Sequence, residues 1–383
     1  MTSQNIVNKI VIVGPAHPLR GGGMSTFNER LCKQLIDEGN NASIYTFSLQ
    51  YPNFLFPGKS QYSNEEAPEG IPIKVCINSV NPFNWIKIGW ELKNIKPNII
   101  IVRYWLPFMG PCLGTILRIV RWNKFTKIIC IADNVVPHEK GFGDTIFTKY
   151  FIKPIHAFLT MSDKVMNDLK QFTQKPSKQV VHPLYDNFGV VIDKTLARKN
   201  LNLPIDDKII LFFGFIRNYK GLDILIDAMR YLQTTQNYNI KLLIAGEFYE
   251  NEEKYKELIN SIPNPESIIL HNNFIPNSMV QNYLCAADFV IQPYKNATQS
   301  GVTPLAYHFN KPMLVTNVGG LPQMVPHLKT GIVVEPSVQS VANGIEELYI
   351  RGEAYFLPNI VDEKKKYSWQ QFTKSLINIA NEV

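Results

Sequence analysis

The chain has 383 residues, of which 45% are hydrophobic, 11% aromatic and 19% charged, with a net charge of +7. That composition excludes a disordered, collagenous or coiled-coil protein, and the length exceeds one ordinary hydrophobic core, so two domains are expected. Five cysteines (Cys32, Cys76, Cys112, Cys130 and Cys285) form no CxxC pair and each lies in an apolar run, which reads as reduced structural thiols in a reducing compartment.

The start, Met1 to Asn8, is polar and lacks the basic-then-apolar order of a signal peptide. The first predicted strand, Lys9–Val13, ends at Gly14 and leads through Gly21-Gly22-Gly23 into a helix. Three consecutive glycines let backbone approach a ligand closely, and the helix that follows offers free N–H groups. The spacing is neither GxGxxG nor GxxxxGKS, which argues against dinucleotide dehydrogenases and P-loop NTPases. Further strands are predicted at Ala42–Phe47, Asn98–Val102, Lys127–Ala132 and Ala157–Met161. The apolar stretch Tyr104 to Leu117 is too short to span a bilayer and is broken by Pro107, Gly110, Pro111 and Gly114.

A polar stretch from Tyr185 to Asp207 separates this series from a second one. Its strands are predicted at Lys208–Phe213, Asn239–Ala245, Ser267–His271, Phe289–Gln292, Met313–Thr316 and Gly331–Val334. Near-continuous apolar strands separated by helices indicate parallel strands covered on both faces. The expectation is an α/β protein with two Rossmann-like, doubly wound parallel-sheet domains: residues 1–187 and 188–367, with a last helix (368–383) packing back on the first.

Two loops of the second series hold residues suited to anions. After the strand Lys208–Phe213 comes Gly214-Phe215-Ile216-Arg217-Asn218-Tyr219-Lys220-Gly221, where two cations stand at the carboxyl edge of a sheet. Arg offers a bidentate fork to phosphate, and Lys a mobile point charge. After Phe289–Gln292 comes Tyr294 to Pro304, in which Ser300 is the expected N-cap and the Gly301 and Val302 amides are expected to point outward. Seven scattered histidines, with no HxxxH or Asp-x-Asp pair, predict no metal.

The charge is uneven: residues 1–190 hold 21 Lys+Arg against 13 Asp+Glu, and residues 191–383 hold 18 against 19. Arg118, Arg121, Lys124 and Lys127 recur every third residue of the first half, which also holds Trp85, Trp90, Trp105 and Trp122. This is either a solvated helix face or one that meets anionic lipid or a phosphate-bearing acceptor. With no nucleic-acid module present, nucleic acid is not expected as a partner.

Taken in order, these elements resemble the GT-B glycosyltransferases, and most closely the retaining enzymes of glycosyltransferase family 4. The residues that carry the resemblance are Gly21-Gly22-Gly23, Gly214 to Ala228, Phe274-Ile275-Pro276, Tyr283 to Asp288, and Asn310-Lys311-Pro312 through Thr316 to Pro322. The resemblance implies two domains facing a cleft, and a sugar transferred from a nucleoside-diphosphate donor to a glycan or lipid-linked acceptor in surface polysaccharide or glycan assembly. It implies no cofactor beyond the donor, and a cytoplasmic protein, peripheral on the inner face of the cell membrane if it docks there.

By position, it implies that Arg217 and Lys220 bind the diphosphate, that Ser300-Gly301-Val302 hold the distal phosphate, and that Phe274-Ile275 receive the base. Gly22 and Gly23 would face the donor phosphates, with Gly214 and Gln299 also on the donor side. His138, in Asp133-Asn134-Val135-Val136-Pro137-His138-Glu139, would contact the donor sugar, and Glu139 is a candidate base. One departure stands out. Relatives place two glutamates, eight residues apart, where this chain has Ala297 and Leu305; Gln299, Glu247 and Tyr294 are the candidates to replace them. Two alternatives share the fold: a nucleotide-sugar epimerase, disfavoured by a first half poor in acids, and a non-catalytic nucleotide-sugar-binding partner.

Overall fold

The computed structural model describes residues 7–21, 23–52, 56, 60–136, 143–235, 239–297 and 300–383. They divide into two compact units, Met1–His182 with Trp369–Val383, and Pro183–Ser368.

The first unit runs β1 (Lys9–Val13), α1 (Met24–Asp37), β2 (Asn41–Leu49), β3 (Ile73–Asn78), α2 (Pro82–Ile95), β4 (Ile99–Tyr104), α3 (Gly110–Arg121), β5 (Lys127–Ala132), α4 (Asp144–Ile152), β6 (Ala157–Thr160), α5 (Asp163–Lys170) and β7 (Ser177–Gln179). Among the described residues these strands form one parallel sheet in the order β3-β2-β1-β4-β5-β6-β7. The central strand β4 is buried along its whole length, as its run of isoleucines predicts. On one face Val11, Ile100, Val102 and Ile128 pack with Leu113, Ile116, Leu117 and Val120 of α3.

The second unit runs α6 (Lys194–Asn200), β8 (Lys208–Phe213), α7 (Leu222–Thr235), β9 (Ile240–Ala245), α8 (Glu252–Asn260), β10 (Ile268–His271), α9 (Asn277–Ala286), β11 (Phe289–Gln292), α10 (Val302–His308), β12 (Met313–Thr316), α11 (Leu321–Met324), β13 (Gly331–Val334), α12 (Val338–Arg351) and α13 (Glu353–Glu363). Its described strands form a second parallel sheet, β10-β9-β8-β11-β12-β13. In each sheet the chain reverses its winding direction beside the first strand, between β1 and β4 and between β8 and β11. Loops leaving the carboxyl ends of those strands splay apart, and that is where open α/β sheets take ligands.

The last helix, α14 (Trp369–Asn381), belongs to the first unit. It buries Trp369, Phe372, Leu376 and Ile379. The Phe27 ring of α1 lies 4.9 Å from Trp369 and 5.4 Å from Phe372, and Thr373 Oγ1 donates to Glu38 Oε1 at 2.7 Å.

Three features differ from the sequence reading. β3 and β7 are not among the expected strands: β3 is largely solvent-facing, and β7 is three polar residues paired at the sheet edge. Edge pairing needs only backbone, so β7 leaves no apolar signature, whereas β3 carries one in Ile73, Val75 and Ile77. β4 also runs two residues past its expected end, which places Arg103 inside the sheet.

Candidate functional site

The loop after β8 is shaped by glycines. Gly214 has φ +94° and Gly221 φ +70°, conformations that a side chain resists. A Cβ on Gly221 would fall 1.9 Å from the Pro293 carbonyl oxygen, so this glycine is what lets the loop close against the segment leaving β11. Lys295 N–H donates to the Tyr219 carbonyl at 2.7 Å, and Lys295 Nζ reaches Asp223 at 2.6 Å, joining the two loops.

Between the glycines, Asn218–Lys220 form a single 3-10 turn that aims Lys220 inward. Lys220 is buried, and its ammonium has no ion-pair or hydrogen-bond partner among the described residues. Nζ lies 3.2 Å from where a Gly214 Cβ would stand, and Val302 Cγ2 lies 3.9 Å from the same point. The space that Nζ occupies therefore depends on the missing side chain of Gly214. Burial, and then the neighbouring Arg217 charge, push the Lys220 pKa down to about 7 from the ordinary 10.5. A buried cation without a counter-ion is costly, and an anion placed beside it relieves that cost.

Arg217 itself is exposed, its guanidinium 5.1 Å from the centroid of the Tyr249 ring. Tyr249 packs on Phe215 (4.4 Å between centroids), and Phe215 stacks on Phe274 (6.2 Å, 28°). Phe274 and Ile275 are half-buried and follow β10, so the aromatic row borders the cations along the same sheet edge.

The third predicted element is built differently from expectation. Gly301, rather than Ser300, caps α10, and the buried Ser300 hydroxyl accepts the Val302 N–H at 3.1 Å. The Val302 amide is thus occupied inside the protein, while Gly301 is exposed. Tyr294 Oη lies 3.3 Å from Ser300 Oγ, and the Lys220 ammonium is 5.9 Å from the Tyr294 ring centroid. Ala297 and Leu305 are both buried, and a Cβ on Gly319 would fall 1.7 Å from the Ala297 carbonyl oxygen. Glu247 is buried as well. The structure thus brings Gly214, Lys220, Val302, Ser300 and Tyr294 together and sets Arg217 and Phe274 beside them. Gly22, His138, Glu139 and Gln299 lie outside the described residues.

In the first unit, Gly23 is the N-cap of α1, with φ +50°. The same sheet edge holds a buried polar group that the sequence reading passes over. Arg103, next to last in β4, donates Nε–H to Asp133 Oδ2 at 2.7 Å and Nη2–H to Asp133 Oδ1, and lies 4.2 Å from the Phe27 ring centroid. Burial raises the Asp133 pKa despite the attraction of Arg103. Close by, a Cβ on Gly14 would meet Asn28 Nδ2 at 2.8 Å and Arg103 Cγ at 3.5 Å. Glu29, one residue on, accepts the His17 N–H at 2.7 Å. Burial lifts its pKa to about 7, opposed by that hydrogen bond and assisted by Glu65. The available signal was Arg103 itself: a charge following four apolar strand residues is expected to be paired.

Residues 193–355 match the family model described as glycosyl transferases group 1. The matched residues lie within the second unit. An uncharacterized glycosyltransferase of Methanocaldococcus jannaschii is 27% identical over 193 residues, 49% of this chain and 48% of that protein. The chain thus spans about half the length of the first curated relatives it matches. A second uncharacterized glycosyltransferase of the same organism is 24% identical over 99% of both chains. Among solved structures, Anabaena HepE in complex with UDP and glucose superposes with a TM-score of 0.74 at 13% identity, covering 98% of this chain and 100% of that one. The fold is therefore that of the GT-B glycosyltransferases, with two parallel-sheet α/β domains.

The family match takes in both anion-facing loops, since Gly214–Gly221 and Tyr294–Val302 lie inside residues 193–355. It also takes in the buried Ala297 and Leu305, so neither position supplies a carboxylate.

Proposed function

We propose that the protein is a retaining glycosyltransferase that moves a sugar from a nucleoside-diphosphate donor to a hydroxyl of a glycan or lipid-linked acceptor, in surface polysaccharide or glycan assembly. The observation that carries this reading is Lys220, a buried cation left without a counter-ion where the second sheet reverses its winding. A diphosphate supplies the missing charge. Arg217 reaches it from the solvent side, and the Gly301 amide is the backbone donor left for it, since Ser300 takes that of Val302. The faces of Phe215 and Phe274 suit a nucleobase. The complex of Anabaena HepE with UDP and glucose supports a donor of this class.

In the reaction the bond from the anomeric carbon to the diphosphate oxygen breaks and the bond to the acceptor oxygen forms. The acceptor proton passes to the departing diphosphate. Negative charge grows on that leaving group, so a preorganised cation beside it stabilises the transition state more than the ground state. His138 and Gln299 keep their proposed places toward the donor sugar, and Gly22 and Gly23 toward the donor phosphates.

The test is a thermal-shift screen against nucleoside-diphosphate sugars, followed by a donor-consumption assay with any donor that binds. Binding to the folded state alone raises the melting temperature by mass action. The expected outcome is a stabilising donor that is hydrolysed or transferred. If no donor stabilises the protein the reading fails, and stabilisation without consumption identifies the non-catalytic binding partner instead.

A further inference from the structure

We propose that the outer face of α2, with the end of α3, is a docking surface for an anionic lipid bilayer. The inference stands apart from the transfer reaction, because it rests on a surface of the first unit alone.

Helix α2 buries only Ile88, Gly89 and Leu92. Its opposite face carries Phe83, Ile86, Lys87 and Trp90, spaced i, i+3, i+4 and i+7, which is one continuous stripe. A stripe of that kind normally faces a core. Here it is uncovered: Phe83 is 84% exposed, Ile86 45% and Trp90 42%. The end of α3 continues it, with Trp122 60% and Phe125 50% exposed. The rings of Trp90 and Trp122 meet at 5.7 Å, so the two helices present a single patch.

The charge around the patch selects the occupant. Lys93, Lys96 and Lys124 have no carboxylate partner among the described residues, and Lys87 meets only Glu91, through its charge and not through a short ion pair. The one acid of α2, Glu91, is already held by Lys74 at 2.5 Å and by Tyr45 Oη at 2.6 Å. Lys93 Nζ stands 3.8 Å from the Trp90 ring centroid and 5.8 Å from that of Trp122. Large amphipathic rings flanked by unpaired lysines suit the boundary between acyl chains and anionic headgroups. The exposed apolar residues of α12 and α13, Ile350, Tyr355, Leu357 and Val361, lie instead in a stretch where Arg351, Lys365 and Lys366 are paired with Glu347, Asp362 and Glu363. Lysines and exposed tryptophans together are a feature of α2 and α3.

The arginines that recur along α3 are not the contact. Arg118 lies 3.8 Å over the Tyr150 ring, and Arg121 Nη1 is 2.6 Å from His156 Nε2, so both are engaged within the unit. Among the described residues no helix is long and apolar enough to cross a membrane, so the surface lies on the bilayer rather than in it.

The experiment is co-sedimentation of the full chain with vesicles of phosphatidylcholine alone or mixed with phosphatidylglycerol, at low and high salt. Tryptophan fluorescence is recorded alongside, with brominated lipid as quencher. The expected result is binding to the anionic vesicles only, weakened by salt, with quenching. Lys87→Glu with Lys93→Glu should weaken it about tenfold or more, at roughly 1 kcal/mol per basic residue near such a surface. Phe83→Ser with Trp122→Ser should abolish quenching; both side chains are exposed, and circular dichroism checks the fold. The donor-induced thermal shift should be the same in all variants, which separates this test from that of the transfer reaction. Equal binding to neutral vesicles overturns the proposal, as does unchanged binding by the variants. Self-association that depends on the patch, with no vesicle binding, would make it a protein interface and overturn it equally.

Discussion

Each unit buries a cation at the carboxyl edge of its sheet, and the two are treated in opposite ways. Arg103, next to last in β4 of the first unit, is locked by both oxygens of Asp133, just past the end of the neighbouring strand β5. Lys220 follows β8 in the second unit, and no described carboxylate answers it. The paired guanidinium is part of the scaffold, because its charge is already spent on Asp133. The unpaired ammonium is held in readiness for an anion, because folding alone leaves its charge uncompensated. A buried charge points to a ligand where its counter-ion is missing, and to architecture where the counter-ion is built in.

The largest effect that would sharpen this contrast is on stability. Asp133→Ala strands Arg103 as an unpaired buried charge and should cost about 3–5 kcal/mol in urea unfolding. Arg103→Met combined with Asp133→Leu should recover most of that loss, since a buried pair can be exchanged for apolar packing. A single variant with wild-type stability would place Arg103 on the ligand side of the comparison.

Lys220→Ala should leave the fold almost intact and lower turnover by about 10²-fold or more, with a smaller change in donor affinity. Lys220→Arg should rescue poorly, because a planar fork cannot occupy the space of a point charge beside Gly214. Steady-state kinetics check both, and an unchanged transfer rate would break the assignment of the loop.

The same lysine predicts a pH dependence. Its pKa in the folded protein is about 7, below the ordinary value of 10.5, so the unfolded chain binds the extra proton between those limits. The free protein should therefore gain stability from this group as the pH rises through that window, and lose it as the pH falls through about 7. A bound diphosphate favours the charged ammonium, so donor binding near pH 8 should take up a proton, up to about one per site. Calorimetry in buffers of different ionisation heat measures the uptake, which should vanish in Lys220→Ala.

The smallest effect belongs to Ser300. Removing its hydroxyl leaves the Val302 N–H without its acceptor and should cost about 1 kcal/mol, read as a shift of the urea midpoint. If Ser300→Ala instead abolished donor binding at full stability, the hydroxyl itself would be a donor ligand.

Local sequence determined much of this protein. Apolar runs such as Ile99 to Val102 or Ile209 to Phe213 can be satisfied only between two covering layers, so two parallel sheets follow from them. The glycines at 214 and 221 mark the loop after β8, because positive φ and close backbone approach leave few other residues. β7, three polar residues, was beyond reach, since its edge pairing is set by the neighbour's backbone, whereas Ile73, Val75 and Ile77 of β3 were a legible alternation. Pairing and burial were also beyond reach. Arg217 and Lys220 look alike in sequence, but one is exposed and the other buried beside Gly214, because Arg217 stands in extended backbone ahead of the 3-10 turn and Lys220 ends the turn. The Val302 amide, free by position, is taken by Ser300. Arg103 finds Asp133 thirty residues away only because β4 and β5 lie side by side. Sequence thus set which residues stand at the sheet edges, through local periodicity and backbone preference. Which of their charges are answered and which stay open was decided by the tertiary fold, because electrostatic cost depends on distance and desolvation, and neither is a property of neighbours along the chain.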